Sequence, residues 1–159
     1  MGLFDRLRKS SDKKLRQQFR LRVETNIEAL VKVLQWFERK TKPILPEKSI
    51  WQCKLALAEG FTNTVRYAHQ HLPTKTPIDI EINLFCDYLE MRIWDWGPPF
   101  DLHAKLASLR QSPTDPLEKE SDRGLFFMQE LTDDLQYIRA AKGRNCLIMK
   151  KTIKVDKQN

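Results

Sequence analysis

Residues 78–93 read IDIEINLFCDYLEMRI, and their pattern decides the fold of the whole chain. Apolar residues alternate with polar ones over 78–84, and the alternation resumes over 89–93. A period of two is typical of a strand with one buried face, because successive side chains point to opposite sides of a sheet. Residues 86–88, between the two runs, predict a turn. We therefore expect an antiparallel hairpin with one face in water.

On the N-terminal side of this hairpin, the apolar spacing changes to that of helices. Apolar residues three or four positions apart predict one helix over 27–40, with Asn26 as its N-cap. The same spacing predicts a longer helix over 47–72 that ends before Pro73. Apolar and charged residues alternate over 18–24, which predicts a further strand at the start of the domain.

On the C-terminal side, residues 97–123 are rich in Pro, Ser, Asp and Lys. We predict a short helix over 102–109 in this stretch, followed by a mobile loop between residues 111 and 123. The remaining elements are predicted as one helix and two strands, over 124–132, 135–140 and 145–153.

This order of elements predicts an α+β protein. The strands come mostly in antiparallel pairs and the long helices can all cover one face, which describes a two-layer sandwich with a mixed, mostly antiparallel sheet. The chain has 159 residues, of which 41% are hydrophobic, so it is the size of one domain with one core. We expect that domain over residues 18–155.

The positive charge is concentrated at the N-terminus. Residues 1–22 carry eight basic and two acidic side chains, so this short segment accounts for +6 of the net charge of +7. We therefore expect a mobile basic arm over 1–17 and a balanced domain after it, with no direct binding of nucleic acid. A weak membrane-surface or acidic-partner helix remains the alternative for the arm.

Other residue types exclude several classes of protein. The three cysteines are far apart and form no CxxC pair, which argues against a disulfide framework or a zinc knuckle and fits a reducing cytoplasm. No apolar run approaches the roughly 20 residues of a membrane span, so no stable membrane insertion is expected. His69, His71 and His103 lack partners at ligand spacing and are interpreted as ordinary polar residues.

The long predicted helix carries the first group of candidate functional residues. Glu59 and Asn63 are four positions apart, so they lie on one side of the helix and could serve as a general base and a metal or water ligand. An ordinary polar helix face is the alternative. Gly60 between them costs a helix about 1 kcal/mol relative to alanine, which indicates close approach by another group.

Two further candidates follow the hairpin. Asp95 ends its second strand, and this carboxylate could accept a hydrogen bond from an exocyclic amine, although a turn with Gly97 explains the segment equally well. Gly124 is predicted to open the last long helix, where unpaired backbone N–H groups could bind a phosphate. Taken alone, each of these signals is weak.

In combination, the three segments resemble the sequence boxes of the GHKL ATPases, and within them the anti-sigma factor serine/threonine kinases of the RsbW and SpoIIAB type. LAEGFTNTVRYA at 57–68 is similar to the N box, and DWGPPFD at 95–101 to the first glycine box. RGLFFMQELTD at 123–133 is similar to the second glycine box, and GRNCLIMKK at 143–151 to the final strand. The resemblance covers about residues 18–153.

The resemblance implies a Bergerat-type ATP-binding fold with ATP and Mg²⁺ as cofactors. It implies that Glu59 is the catalytic base and that Asn63 coordinates the metal. Asp95 would accept a hydrogen bond from the adenine amino group, Gly97 would let the backbone pass close to the ring, and residues 102–122 would form a lid. The cofactor-binding set that it implies is Asn63, Asp95, Gly97, Phe100, Arg123, Gly124 and Leu125.

For function, the resemblance implies an ATP-dependent serine/threonine protein kinase that acts as an anti-sigma factor. It would phosphorylate a STAS-domain anti-sigma antagonist and, as a homodimer, hold a sigma factor. Asp122 departs from the family, which usually has glycine there, and a carboxylate near a triphosphate needs Mg²⁺ or a lysine such as Lys119 to screen it. Two alternatives therefore stay open: a nucleotide-binding partner-switching module with little or no kinase activity, and the detached ATPase half of a histidine kinase.

Overall fold

Within the described residues, one five-stranded sheet organises the fold. The computed structural model describes residues 14–112, 115 and 117–153. The strand order is β1-β2-β3-β5-β4, and all four neighbouring pairs are antiparallel. The strands are β1 Gln17–Glu24, β2 Pro77–Leu84, β3 Tyr88–Asp95, β4 Asp134–Arg139 and β5 Asn145–Thr152.

In the part of the chain that the structure describes, four α-helices complete the two-layer α+β sandwich expected from the sequence. They are α1 Leu30–Thr41, α2 Glu47–Asn63, α3 Leu102–Gln111 and α4 Glu120–Leu131. A 3₁₀ turn, Ile27–Ala29, precedes α1, and a π-helical turn, Thr64–Ala68, follows α2. Within the described part of the chain, none of these helices has the length and hydropathy that crossing a bilayer would require.

The hairpin predicted from the alternating pattern is confirmed as β2 and β3. Ile80 lies opposite Ile93 and Ile82 opposite Met91, and all four side chains are fully buried beneath the helices. The intervening polar residues lie on the opposite face of the sheet, where the Arg22 Nε is 2.7 Å from the Asp79 Oδ1 but Asn83 and Glu90 are buried. The period of two therefore assigned the core face correctly, whereas part of the face expected in water is buried.

Two helices differ from their predicted bounds by four residues or more. The predicted helix over 47–72 is regular only to Asn63, because the His69 N–H donates to the Thr64 carbonyl, five residues back, and forms the π-helical turn. Helix α4 begins at Glu120, so Gly124 lies inside the helix and the prediction that it opens the helix was wrong. Asp122 falls in the first turn of α4, where the helix dipole favours acidic residues.

The predicted loop between residues 111 and 123 is consequently shorter than expected. Its residues 113, 114 and 116 lie outside the described residues, as does most of the predicted basic arm. The short helix predicted over 102–109 is confirmed as α3, and the Asp101 carboxylate caps it by accepting a hydrogen bond from the Ala104 N–H at 3.0 Å. An Asp at this N-cap position is favoured because it satisfies an unpaired helix donor.

Close packing of α2 on the sheet depends on Gly60. A Cβ atom placed on Gly60 would lie 2.9 Å from the Ile93 Cδ1 and 3.0 Å from the Leu147 Cδ2. Both neighbours belong to the buried core, where side chains have little room to move. The close approach that the sequence indicated at Gly60 is therefore made by the sheet.

Gly60→Ala should lower the free energy of unfolding by up to about 2 kcal/mol, because overpacking costs about 1–3 kcal/mol and alanine regains about 1 kcal/mol in a helix. Urea denaturation at constant pH measures this difference. Gly124→Ala is the matched control, since the nearest atom to its new Cβ is the end of a flexible Glu59 side chain. A Gly60→Ala protein that is about 1 kcal/mol more stable than wild type, as alanine in a helix without overpacking would be, would contradict the packing argument.

Candidate functional site

A cavity of about 340 Å³ opens between the end of α2, the loop after β3, helices α3 and α4, and strand β4. Four of the predicted site residues line it, namely Asn63, Asp95, Phe100 and Leu125. Its size is that of a small-molecule site, and its walls are largely apolar with a few polar groups. The segments around Asn63 and Asp95 therefore share one cavity, as their combination predicted.

Glu59 and Asn63 lie against the backbone of α4 at one end of this cavity. A Cβ atom on Gly124 would lie 2.9 Å from the Glu59 Oε2 and 3.1 Å from the Asn63 Oδ1. The absence of a side chain at Gly124 thus lets α4 pack directly on the carboxylate and the amide. Gly124 serves this helix contact, and not the exposed helix start that the sequence suggested.

The environment of Glu59 changes its acidity. Burial raises the pKa of the Glu59 carboxyl above its usual value, while the positive charges of Arg123 and Arg66 act in the opposite direction. A carboxylate with a raised pKa is a better proton acceptor near neutral pH. Arg123 itself is exposed, and its positive charge affects the site by lowering the pKa of Glu59.

The donor set at this end suits a hard cation shared with phosphate. Among the described residues, no three His, Cys, Asp or Glu side chains form a metal-binding cluster. Mg²⁺ commonly takes only one or two protein oxygens and completes its shell with water and phosphate oxygens. The Asn63 amide oxygen beside the Glu59 carboxylate fits that requirement.

Asp95, which also lines the cavity, is a buried carboxylate with three hydrogen-bond donors. Its Oδ1 accepts from the Gly97 N–H at 2.8 Å and from the Asn145 Nδ2 at 2.9 Å. Its Oδ2 accepts from the Tyr137 hydroxyl at 2.5 Å. Burial, together with this hydrogen bond and the charge of Asp95, raises the pKa of the Tyr137 hydroxyl, so the hydroxyl remains a donor.

Gly97 and Phe100 occupy different positions relative to the cavity. A Cβ on Gly97 would lie 2.6 Å from the Ala68 carbonyl oxygen, so this glycine permits close packing on the π-helical turn. Phe100 lines the cavity and packs edge-to-face on the Tyr137 ring, with ring centroids 6.1 Å apart. The predicted glycine box therefore both shapes the wall and fixes the loop that carries it.

His69 is a buried link, which corrects its interpretation as an ordinary polar residue. Its Nε2 accepts a hydrogen bond from the Trp96 N–H at 2.8 Å, and its Nδ1 lies 2.8 Å from the Thr25 Oγ1. Because the Thr25 hydroxyl donates to the Thr76 carbonyl, the His69 Nδ1 must be the donor to Thr25. Burial lowers the pKa of His69, although the nearby Asp95 charge raises it.

Sequence reasoning missed a lysine at this site. The Lys105 Nζ is 3.6 Å from the Asp122 Oδ1, and Lys105 also lines the cavity. The expectation that Lys119 would screen Asp122 is replaced by this ion pair between α3 and α4. No local motif marks Lys105, because the docking of α3 on α4 decides which of its side chains reaches the cavity.

Asn145 and Tyr137 were also missed as partners of Asp95. Asn145 stood inside the predicted final strand, and it lies directly opposite Asp95 in the register of β3 and β5. These strands are not consecutive in the chain, so the pairing carries no local turn signal. Tyr137 is brought close to Asp95 because its strand, β4, pairs with β5, which in turn pairs with β3.

The family model of the histidine kinase-like ATPase domain matches residues 23–151. Two curated proteins named serine-protein kinase RsbW are similar in sequence. The protein from Oceanobacillus iheyensis is 34% identical over 92 residues, which are 56% of this chain and 58% of that protein. The protein from Bacillus licheniformis is 31% identical over 86 residues, which are 52% and 53% of the two chains. The chain spans about half the length of the curated relatives it matches.

Solved structures confirm the fold. The RsbU and RsbW domains of Rv1364c from Mycobacterium tuberculosis superpose with a TM-score of 0.62 at 13% identity, over 88% of this chain and 34% of that one. The SiaB–SiaC complex from Pseudomonas aeruginosa gives a TM-score of 0.57 at 11% identity, over 96% of this chain and 99% of the matched chain. At these identities the similarity concerns the fold alone.

The His69 contacts predict a stability that falls in acid. Folding holds His69 neutral, since its pKa is lowered, whereas the unfolded chain takes up a proton below about pH 6.5. Acid should therefore favour unfolding by up to about 1.4 kcal/mol per pH unit between the two pKa values. Urea denaturation across this range should show a flatter slope for His69→Gln than for wild type.

His71→Gln is the matched control for this measurement, because His71 is exposed and bonds only locally to Gln70 among the described contacts. It should keep the wild-type slope. If His69→Gln and wild type lost stability in parallel on acidification, the His69 network would have no part in the pH dependence.

Proposed function

This chain belongs to the family of histidine kinase-like ATPase domains, and we propose that it is an ATP-dependent serine/threonine protein kinase that acts as an anti-sigma factor. One observation carries the proposal: Asn63 and Asp95 line a single cavity, with Glu59 beside Asn63. A base and a metal ligand would thus lie close to the cavity that also contains an amine-binding carboxylate.

At the base-binding end, Asp95 would accept a hydrogen bond from the adenine amino group. Phe100 and Leu125 supply apolar surface for the ring. The Gly97 N–H and the Asn145 amide both donate to the Asp95 Oδ1, so the orientation of Asp95 is fixed before a ligand arrives. Preorganised groups of this kind lower the ordering cost of binding.

At the triphosphate end, Asn63 would hold Mg²⁺, which neutralises phosphate charge when bound. Glu59 would accept the proton of the attacking serine hydroxyl, consistent with the direction of its pKa. Lys105 faces the cavity and Arg123 acts beside Glu59, so both can balance charge on the phosphates. Phosphoryl transfer depends mainly on such alignment and charge neutralisation.

The proposed acceptor is a serine on a STAS-domain anti-sigma antagonist, and the proposed second partner is a sigma factor held by a homodimer in the cytoplasm. Support comes from the two sequence relatives named serine-protein kinases and from the neighbour solved as a two-protein complex. Genome neighbourhood supplies an independent check, since an adjacent STAS reading frame would identify the antagonist to test.

A partner-switching module with little or no kinase activity is the second candidate, and Asp122 favours it. A carboxylate near the lid adds negative charge where a triphosphate would lie. The ion pair with Lys105 offsets that charge, but it also engages the cation that faces the cavity. Nucleotide binding without transfer is the behaviour that would distinguish this candidate.

Glu59→Gln should reduce phosphate transfer by about 10²–10⁴-fold, the usual contribution of a general base, while ATP binding persists. The measurement uses labelled ATP, Mg²⁺ and a purified STAS partner, with the label counted on the partner serine. Glu28→Gln is the control, since Glu28 is exposed in the first turn before α1. Unlabelled partner with wild-type protein that binds ATP tightly would favour the switching module.

Gly124→Ala should fold normally yet transfer phosphate at least about tenfold more slowly. Alanine is favoured over glycine within a helix by about 1 kcal/mol, so stability should be unchanged or higher. The new Cβ would displace the Glu59 carboxylate and the Asn63 amide from their positions on α4. Small displacements of reacting groups can cost about 10²-fold in rate. Wild-type transfer by this variant would show that the contact is not needed.

A further inference from the structure

The hydroxyl of Tyr137 donates a hydrogen bond to Asp95, and both residues line the cavity. Tyr137 lies on β4, lines the cavity and donates to the Asp95 Oδ2 at 2.5 Å. Its ring is held from the other side by the edge-to-face contact with Phe100. The side chain therefore has a defined position within the space where a ligand would reach Asp95.

The two oxygens of Asp95 have different kinds of partner. Oδ1 accepts from the Gly97 backbone and from Asn145, whose amide also reaches the Gly97 carbonyl at 2.9 Å. These donors belong to the loop and to strand β5, and they cannot leave without disturbing the fold. Oδ2 accepts from Tyr137, which lines the cavity and is only partly buried, so Oδ2 is the oxygen at which a ligand amine would meet a competing donor.

We propose that Tyr137 is a specificity-determining residue that competes with the exocyclic amine of the ligand for the Asp95 Oδ2. This inference rests on the proposed nucleotide site. A ligand that carries an amine must displace the hydroxyl or share the oxygen with it, so the amine gains less than at a free carboxylate. A ligand without the amine leaves the Tyr137 hydrogen bond in place. Tyr137 therefore lowers both the affinity for adenine and the preference for it over an unsubstituted purine.

Burial and the neighbouring carboxylate raise the pKa of the Tyr137 hydroxyl, so it stays protonated and able to donate, as an ordinary tyrosine does near neutral pH. A hydrogen bond from a hydroxyl to a buried carboxylate is among the stronger ones in proteins. Removal of the Tyr137 hydroxyl should therefore measurably change the preference for a ligand with the amine over a ligand without it.

The test compares adenosine with purine riboside, which lacks only the 6-amino group, by isothermal titration calorimetry. In Tyr137→Phe the ring and its contact with Phe100 are kept, while the competing donor is removed. The ratio of the Kd for purine riboside to the Kd for adenosine should rise about tenfold relative to wild type. Tyr88→Phe is the matched control at the far end of β3, and its ratio should equal that of wild type.

The outcomes separate this inference from the proposed function. Adenosine binding with an unchanged ratio in Tyr137→Phe overturns the competition and leaves the nucleotide site intact. Equally weaker binding of both ligands also overturns it, because a residue with a purely structural role would weaken the binding of both. Tyr137→Leu, which also lacks the hydroxyl, repeats the measurement if the phenylalanine variant fails to fold. Failure of every folded variant to bind adenosine overturns the proposed function itself, whereas adenosine binding only in the variants without the hydroxyl supports the competition.

Discussion

The buried carboxylate of Asp95 is the constraint on which the rest of the site depends. A charge removed from water is costly unless donors surround it, and here the donors come from three separate segments of the chain. Gly97 fixes the loop that follows β3, Asn145 ties in β5, and Tyr137 ties in β4. Satisfying one carboxylate thus determines how the edge of the sheet closes around the cavity.

Two glycines, which have no side chain beyond hydrogen, determine how closely the helices of the site pack. Gly60 lets α2 approach the sheet, and Gly124 lets α4 approach α2. Between these two contacts, Glu59 and Asn63 are held against the α4 backbone. The same glycine contacts that bring the helices together also position the polar pair, so packing and site geometry have a common origin.

The sequence predicted the parts of the fold that have a local signal. The β2–β3 hairpin, α1, α3 and the candidate residues Glu59, Asn63 and Asp95 follow from periodicity and from recognisable boxes. Contacts between distant segments had no such signal. The choice of Lys105 over Lys119 as the partner of Asp122 depends on how α3 docks, and Tyr137 reaches Asp95 only through two successive strand pairings.

The π-helical turn Thr64–Ala68 has a consequence for how the chain enters the site. A π turn accommodates one more residue than an α turn, and it shifts the angular phase of every residue that follows. Here the shift places the Ala68 carbonyl against Gly97 and aims the His69 ring at the Trp96 backbone. Deleting one residue from this turn would rotate every following residue by about 100° about the helix axis. The loop that begins at Asp95 would then be released. The one additional residue of the π-helical turn thus fixes the helical layer to the loop that lines the ligand cavity.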